Sequence, residues 1–349
     1  MSESAARGAA ARRLANMTDV AARAGVSTMT VSNVINRPEM VAEPTQLKVR
    51  KAMRDLNYRN NLVARSLRLT EPRQIGYSLS SHSDPSSQYM GEFLHDLALA
   101  CQARGRNLTL LAEKADEDNL DAYEDLYYGR SVAGFVIANM ATDDVRPQEL
   151  TNRTIPFVSY GQTAAGPDVP WSWVDGDATA GVEMAVDHVV SAGHTQLAYV
   201  GNDNDDVVTH ERLTGYRAAC ARHGLDRSLG GSRIIATQAD IPSGAAAAHQ
   251  LLTSTSPPTA IVCADDALAA GTVLAVRDLA LIPGRDVAVT GFDDSPLTSF
   301  GATGITSIRQ HSEEIATTLI QLLIDAPAAP QHVRIKPELV VRSSTGPRP

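Results

Sequence analysis

Apolar and polar positions alternate differently in two stretches of the chain. Up to about residue 59 the apolar residues follow helical spacing: Val20, Ala21 and Ala24 ahead of Gly25, then Val31, Val34 and Ile35, then Leu47, Val49, Met53 and Leu56. A period near 3.6 predicts amphipathic helices, here over about 18–24, 28–36 and 43–56. Asn16 and Ser27 stand at N-cap positions, and Gly25 stands where a left-handed residue stops the first helix. Two short helices joined by about three residues around a glycine form a helix-turn-helix.

Beyond residue 73 the grammar changes to short apolar runs separated by helical patterns. Residues 75–79, 108–112, 134–138 and 156–160 read as buried strands, and a second series follows at 197–201, 233–237, 260–263 and 287–291. Strand and helix in alternation imply parallel sheets with right-handed crossovers, and eight such units imply two lobes. In open sheets of this kind ligands bind beyond the carboxyl ends of the strands, which places a site in the cleft between lobes. Trp171 and Trp173, in an alternating stretch, are expected to be core residues rather than a stacking platform.

Composition sharpens the division. The chain has 349 residues, 43% hydrophobic and 20% charged, which describes a globular protein of two or three domains. No apolar stretch approaches the ~20 residues of a membrane helix. The formal net charge of -9 conceals an asymmetry: residues 1–70 carry 12 Lys and Arg against 5 Asp and Glu, the remainder 19 against 35. A basic head therefore precedes an acidic body. Cys101, Cys220 and Cys263 are far apart and form no CxxC motif, so reduced thiols in the cytoplasm are expected, with neither a disulfide framework nor a zinc ribbon. Residues 1–15 lack the apolar region of a secretory signal and are expected to be a disordered tail.

On the second helix of the head the outward positions are Thr28, Met29, Ser32 and Asn33, and the start of this helix is the part that enters the major groove in helix-turn-helix proteins. The third helix turns Lys48, Arg50, Lys51 and Arg54 outward. Residues 60–68 have helix-forming character over too few positions to be stable alone. They read either as an interdomain linker or as a hinge that folds on DNA, with Leu67 wedged into a minor-groove step.

The stretch from Met17 to Leu67 resembles the DNA-binding headpiece of the lactose-repressor (LacI/GalR) family: an AGVS turn at 24–27, TVS at 30–32, LNY at 56–58 and an N-x-x-A-x-x-L run at Asn61, Ala64 and Leu67. The resemblance implies that Thr28, Met29 and Asn33 read bases and that Leu67 intercalates from a hinge helix. Many members carry Arg where Asn33 stands; Asn pairs with adenine and Arg with guanine, so the preferred half-site should differ at that base. The body resembles a type I periplasmic sugar-binding protein, on the runs AGH at 192–194, RLTGY at 212–216, CADD at 263–266 and VTGFDD at 289–294. This resemblance implies lobes that are not contiguous in sequence.

The expected architecture is an all-α helix-turn-helix headpiece with a hinge helix, followed by an α/β two-lobed periplasmic-binding-protein-like (type I) effector domain. Its segments are a tail over 1–15, a DNA-binding domain over 16–59, a hinge and linker over 60–72, and a body over 73–349. The lobes are expected at about 73–170 plus 295–322 and 171–294 plus 323–342. A cleft for a small polar ring needs carboxylate acceptors and an Arg donor. Asp293, directly after a strand, is the first candidate, followed by Arg212 and by Asp265, whose rival role is a helix cap. Asp84, Asn139, Tyr160 and Gln310 are positional candidates. The expected partners are a double-stranded DNA operator, a small-molecule effector of carbohydrate type and a second copy of the chain, with no cofactor and no membrane. No catalytic or metal motif stands out: GxSxG, HExxH, GxxxxGK[ST] and a strand-linked GxGxxG are all missing from the sequence, and Asp203–Asp206 fails the EF-hand spacing. A transporter's solute-binding protein would share the body, but would need a signal peptide and would have no helix-turn-helix.

Overall fold

The computed structural model describes residues 15–56, 58, 72–79, 88–112, 120–225, 233–299 and 303–346. The chain forms two units, Met1–Thr70 and Glu71–Pro349. Within the first, α1 (Met17–Ala24), α2 (Thr28–Asn36) and α3 (Glu43–Asp55) surround a small core of Val20, Ala21, Val31, Val34, Val49, Ala52 and Tyr58. Asn16 and Asp19 cap α1 reciprocally, each side chain accepting from the other's backbone N–H at 2.9 and 2.8 Å. Gly25 ends that helix at φ 68°, a conformation that costs glycine nothing, and Ser27 Oγ accepts from Thr30 N at 3.1 Å to begin α2.

One core expectation fails. Leu47 is 60% exposed. The inward stripe of α3 is Val49, Ala52, Met53 and Leu56, at i, i+3, i+4 and i+7, and Leu47 precedes Val49 by two residues, about 200° around the helix.

All eight expected strands form in the body, as β1 (Gln74–Leu79), β2 (Asn107–Ala112), β3 (Val132–Ile137), β4 (Phe157–Tyr160), β6 (Leu197–Asn202), β7 (Ile234–Thr237), β8 (Ala260–Cys263) and β9 (Ala288–Asp293). Four short strands join them: β5 (Trp173–Asp175), β10 (Thr306–Arg309), β11 (His332–Arg334) and β12 (Glu338–Val340). They complete two six-stranded sheets, ordered β11-β5-β4-β3-β1-β2 and β12-β10-β9-β8-β6-β7. The β10–β12 ladder is antiparallel and the β1–β2, β3–β4 and β8–β9 ladders are parallel.

The lobe boundaries fall elsewhere than at 170, 294 and 322. β5 pairs with β4 and β11 and belongs to the first lobe, whereas β10 pairs with β9 and β12 in the second. The chain therefore crosses between lobes just after Asp175, just after Arg309 and just after Arg334. Hydrogen-bonded ladders decide membership, and they join segments far apart in sequence, so the lobe a strand belongs to is not written in its own residues.

Helices cover both faces of each sheet. In the first lobe Val136 joins a core with Phe93, Leu97, Ile315 and Leu319, whereas its neighbours Phe135 and Ile137 join one with Tyr123 and Leu150 on the other face. In the second lobe Phe292 faces Gly181 of helix Ala178–Ser191, and Gly291 faces Asp266 and Ala269 of helix Asp266–Asp278. Trp171 and Trp173 are 7% and 3% exposed, in a cluster with Phe157, as core residues should be.

Candidate functional site

In the head, the buried Val31 and Val34 turn the opposite side of α2 outward. Thr28 and Met29 are exposed there and Ser32 and Asn33 half-buried. Lys48, Arg50, Lys51 and Arg54 are exposed on α3. Arg23 of α1 reaches Asp55 of α3 at 3.3 Å, tying together the two helices that hold α2. Asn61, Ala64 and Leu67 lie outside the described residues, as does Asp84 in the body.

Parallel registers bring the remaining candidates of the body together at the strand ends. β9 and β10 run from Thr290 opposite Thr306 to Asp293 opposite Arg309, which sets Gln310 beside Asp293. In the other lobe Tyr160 lies opposite Val174, and Arg334 opposite Asp175. The result is a chain of hydrogen bonds across the cleft. Tyr160 donates its hydroxyl to Gln310 Oε1 at 3.1 Å, and Gln310 Nε2 donates to Asp293 Oδ1 at 2.8 Å. Arg212 Nη2 reaches the same Oδ1 at 3.4 Å, while Nη1 donates to the Ala264 carbonyl at 2.7 Å. The guanidinium lies 4.1 Å over the Phe292 ring, a favourable placement for a cation.

The local backbone explains why the two aspartates of GFDD differ. Asp293 and Asp294 both have positive φ, at 101° and 52°, an arrangement held only where neighbours over-determine it. Asp294 does the holding, receiving Arg309 at 2.7 Å and Arg342 at 2.6 Å. Asp293 is thereby left to face the cleft. Burial raises its pKa, against the opposing pull of Arg212 and Gln310.

Asp265 is buried and caps helix Asp266–Asp278, its Oδ1 accepting from Leu268 N at 2.8 Å. Burial pushes this carboxyl up to about 6 despite the cap. Asn139 sits just past β3 at φ 51° and half-buried, and its neighbour Met140 accepts from Val207 N at 3.1 Å across the cleft mouth. The same mouth is closed by a bridge between Ala141 and Asp206 and by Thr142 Oγ1 bonding Asp205 at 3.2 Å.

Several cleft groups carry no signal in the sequence. Tyr89 extends the chain by bonding the Tyr160 hydroxyl. Gln162 Nε2 donates to Asp175 Oδ2 at 2.6 Å and to Glu211 Oε1 at 3.3 Å, so one amide from the first lobe bridges two carboxylates at the boundary. Burial, then repulsion from Asp175, pushes Glu211 up to about 7. Glu211 also lines a cavity of about 210 Å³ between the lobes, with Thr142, Ala164, Thr179, Val207 and Thr214. Glu211 adjoins Arg212 in sequence, and that adjacency was the only clue available.

A helix-turn-helix head on the same chain as a two-lobed body with a polar interlobe cleft defines a DNA-binding regulator with a ligand-binding domain. Comparison with known proteins agrees. Residues 16–61 match the bacterial regulatory proteins of the lacI family, and residues 186–345 match the periplasmic binding protein-like domain. The chain is 31% identical over 345 residues to the ribose operon repressor of Escherichia coli (strain K12), covering 95% of this chain and 100% of that protein. Among solved structures, the Lac repressor bound to ONPG in the repressed state gives a TM-score of 0.80 at 25% identity, covering 95% of this chain and 100% of that one. The transcriptional regulator CelR in complex with cellobiose gives 0.71 at 25%, covering 95% and 99%. The chain belongs to the LacI family: it is a DNA-binding transcriptional repressor with an effector-binding domain, and not an enzyme. A solute-binding role in transport is not favoured.

Proposed function

We propose that the repressor binds a pseudo-palindromic operator as a cytoplasmic homodimer and releases or tightens it when a polyhydroxylated, carbohydrate-like effector enters the interlobe cleft. Thr28, Met29, Ser32 and Asn33 then read base edges, Asn61, Ala64 and Leu67 act in the hinge, and Arg212 and Asp293 hold the effector, with Asp265, Asn139 and Tyr160 around them. One observation carries the effector class. Arg212 Nε is buried without an acceptor among the described residues, on a side chain only 9% exposed, next to the Asp293 carboxylate. An unmet buried donor costs about 1–3 kcal/mol. A hydroxyl group accepts from that N–H and donates to the carboxylate at once, so a polyol fits where a purely apolar or acceptor-only molecule does not. The cellobiose complex of CelR agrees with this class.

The effector acts through differential affinity for the two lobe arrangements. Asp293→Asn tests the reading, because it keeps a residue type that tolerates positive φ while removing the charge. A thermal-shift screen of sugars on the wild-type repressor supplies the ligand. The variant should bind operator normally and lose the response to it; a normal response would remove Asp293 from the site.

A further inference from the structure

Gln310 occupies an unusual place in the chain. It follows β10 directly, at the second crossing between lobes, and its two amide ends serve opposite lobes: Oε1 accepts from Tyr160 of the first, Nε2 donates to Asp293 of the second. The amide cannot be turned around, because a carboxylate at Asp293 only accepts. The first crossing presses on the same group. A Cβ at Gly176 would stand 2.6 Å from Gln310 Oε1, so a larger residue there would displace the amide from its present position. Two of the three crossings and one strand end from each lobe thus converge on one amide. A rotation that separates Tyr160 from Asp293 must break one of its two bonds, and the bond to Asp293 is charge-assisted, hence the stronger.

We propose that Gln310 is a positioning residue, a two-ended strut that sets the angle between the lobes, rather than a contact to the effector. Its regulatory consequence rests on the reading of the cleft as the effector site, but its mechanical role does not. An effector that engages Asp293 would act on one end of the strut, and the first lobe would feel it through Tyr160.

The experiment uses the full chain without ligand, so that its outcome is independent of the effector assignment. Spin labels on Asp121→Cys in the first lobe and Gln250→Cys in the second, both exposed positions, report the interlobe distance by double electron–electron resonance; the native cysteines are buried and stay unlabelled. With labelled chains diluted in an excess of unlabelled protein, so that a dimer carries a single labelled chain, the parent should give a single narrow distance. Gln310→Met, similar in length but unable to bond either partner, should lose that narrow distribution. Tyr160→Phe should broaden it in the parent and add nothing in the Gln310→Met background. Gln310→Glu supplies a readout that mere packing would not move: at pH 8 it should resemble Gln310→Met, since two carboxylates then face each other. At pH 5 a protonated carboxyl again donates to Asp293 while accepting from Tyr160, and the narrow distance of the parent at that pH should return. An unchanged distribution in Gln310→Met, or a Gln310→Glu variant that ignores pH, would overturn the proposal. If the distances behave as expected and yet Asp293→Asn retains its effector response, the strut stands and the effector site is the assignment that fails.

Discussion

Asn33 lies on the outward side of α2, and its amide can bond adenine through two groups at once. Asn33→Ala should relax specificity at one base pair per half-site, by about 1–3 kcal/mol, as measured by operator selection from a randomised library. Unchanged selection would mean that α2 presents a different face. Leu47 was expected in the core and is largely exposed. Leu47→Lys should therefore change head stability by no more than about 0.5 kcal/mol in thermal or denaturant unfolding, whereas Val49→Ala, at a fully buried position, should cost more than 1 kcal/mol. The misreading arose because leucine attracts a core assignment by its chemistry, while only the angular position around α3 decides which side it occupies.

At the level of elements, caps and strand ends do most of the positioning. Ser27 holds the first turn of α2, the helix that carries the candidate base-reading residues, so Ser27→Ala should destabilise the head by about 0.5–2 kcal/mol and weaken operator binding alongside. Asp265 separates two roles that the sequence left open. Asn caps a helix as well as Asp, so Asp265→Asn should leave the melting temperature of the body nearly unchanged while removing a charge beside Asp293 and Arg212. A shift in effector preference without loss of stability would mark the carboxylate as part of the site, and loss of neither would leave it a cap. These local devices were legible in advance, because a cap joins residues three apart and a strand ends where its apolar run ends. The short β5, β10, β11 and β12 were not, since nothing in three or four residues announces which sheet they join.

At the scale of the whole molecule, charge and burial set the response to solution conditions. The basic first 70 residues should make operator affinity fall steeply with salt through counterion release, as a linear plot of log affinity against log salt. The body should show an unusual pH dependence. Glu211 titrates near its ordinary value of about 4.5 when unfolded and near 7 when folded, so between these values the folded state binds more protons than the unfolded one. Its unfavourable contribution is absent below about pH 4.5 and complete above about pH 7. Stability from this group therefore falls as pH rises through that window. Glu211→Gln should raise the melting temperature at pH 8, leave it little changed at pH 4, and flatten the profile between; an unaltered profile would show that Glu211 is solvated in the folded body. The amino-acid sequence by itself determined the helix-turn-helix, the eight main strands, the two-lobed class of fold and the placement of Asp293 at a strand end, because caps, periods and strand ends are written in neighbouring residues. Only the tertiary structure decided where the chain crosses between lobes, that Tyr160 meets Gln310 across 150 residues, and that burial and Asp175 raise the pKa of Glu211. Parallel ladders join distant segments, and the electrostatics of a buried group depend on surroundings that exist only once both lobes are assembled.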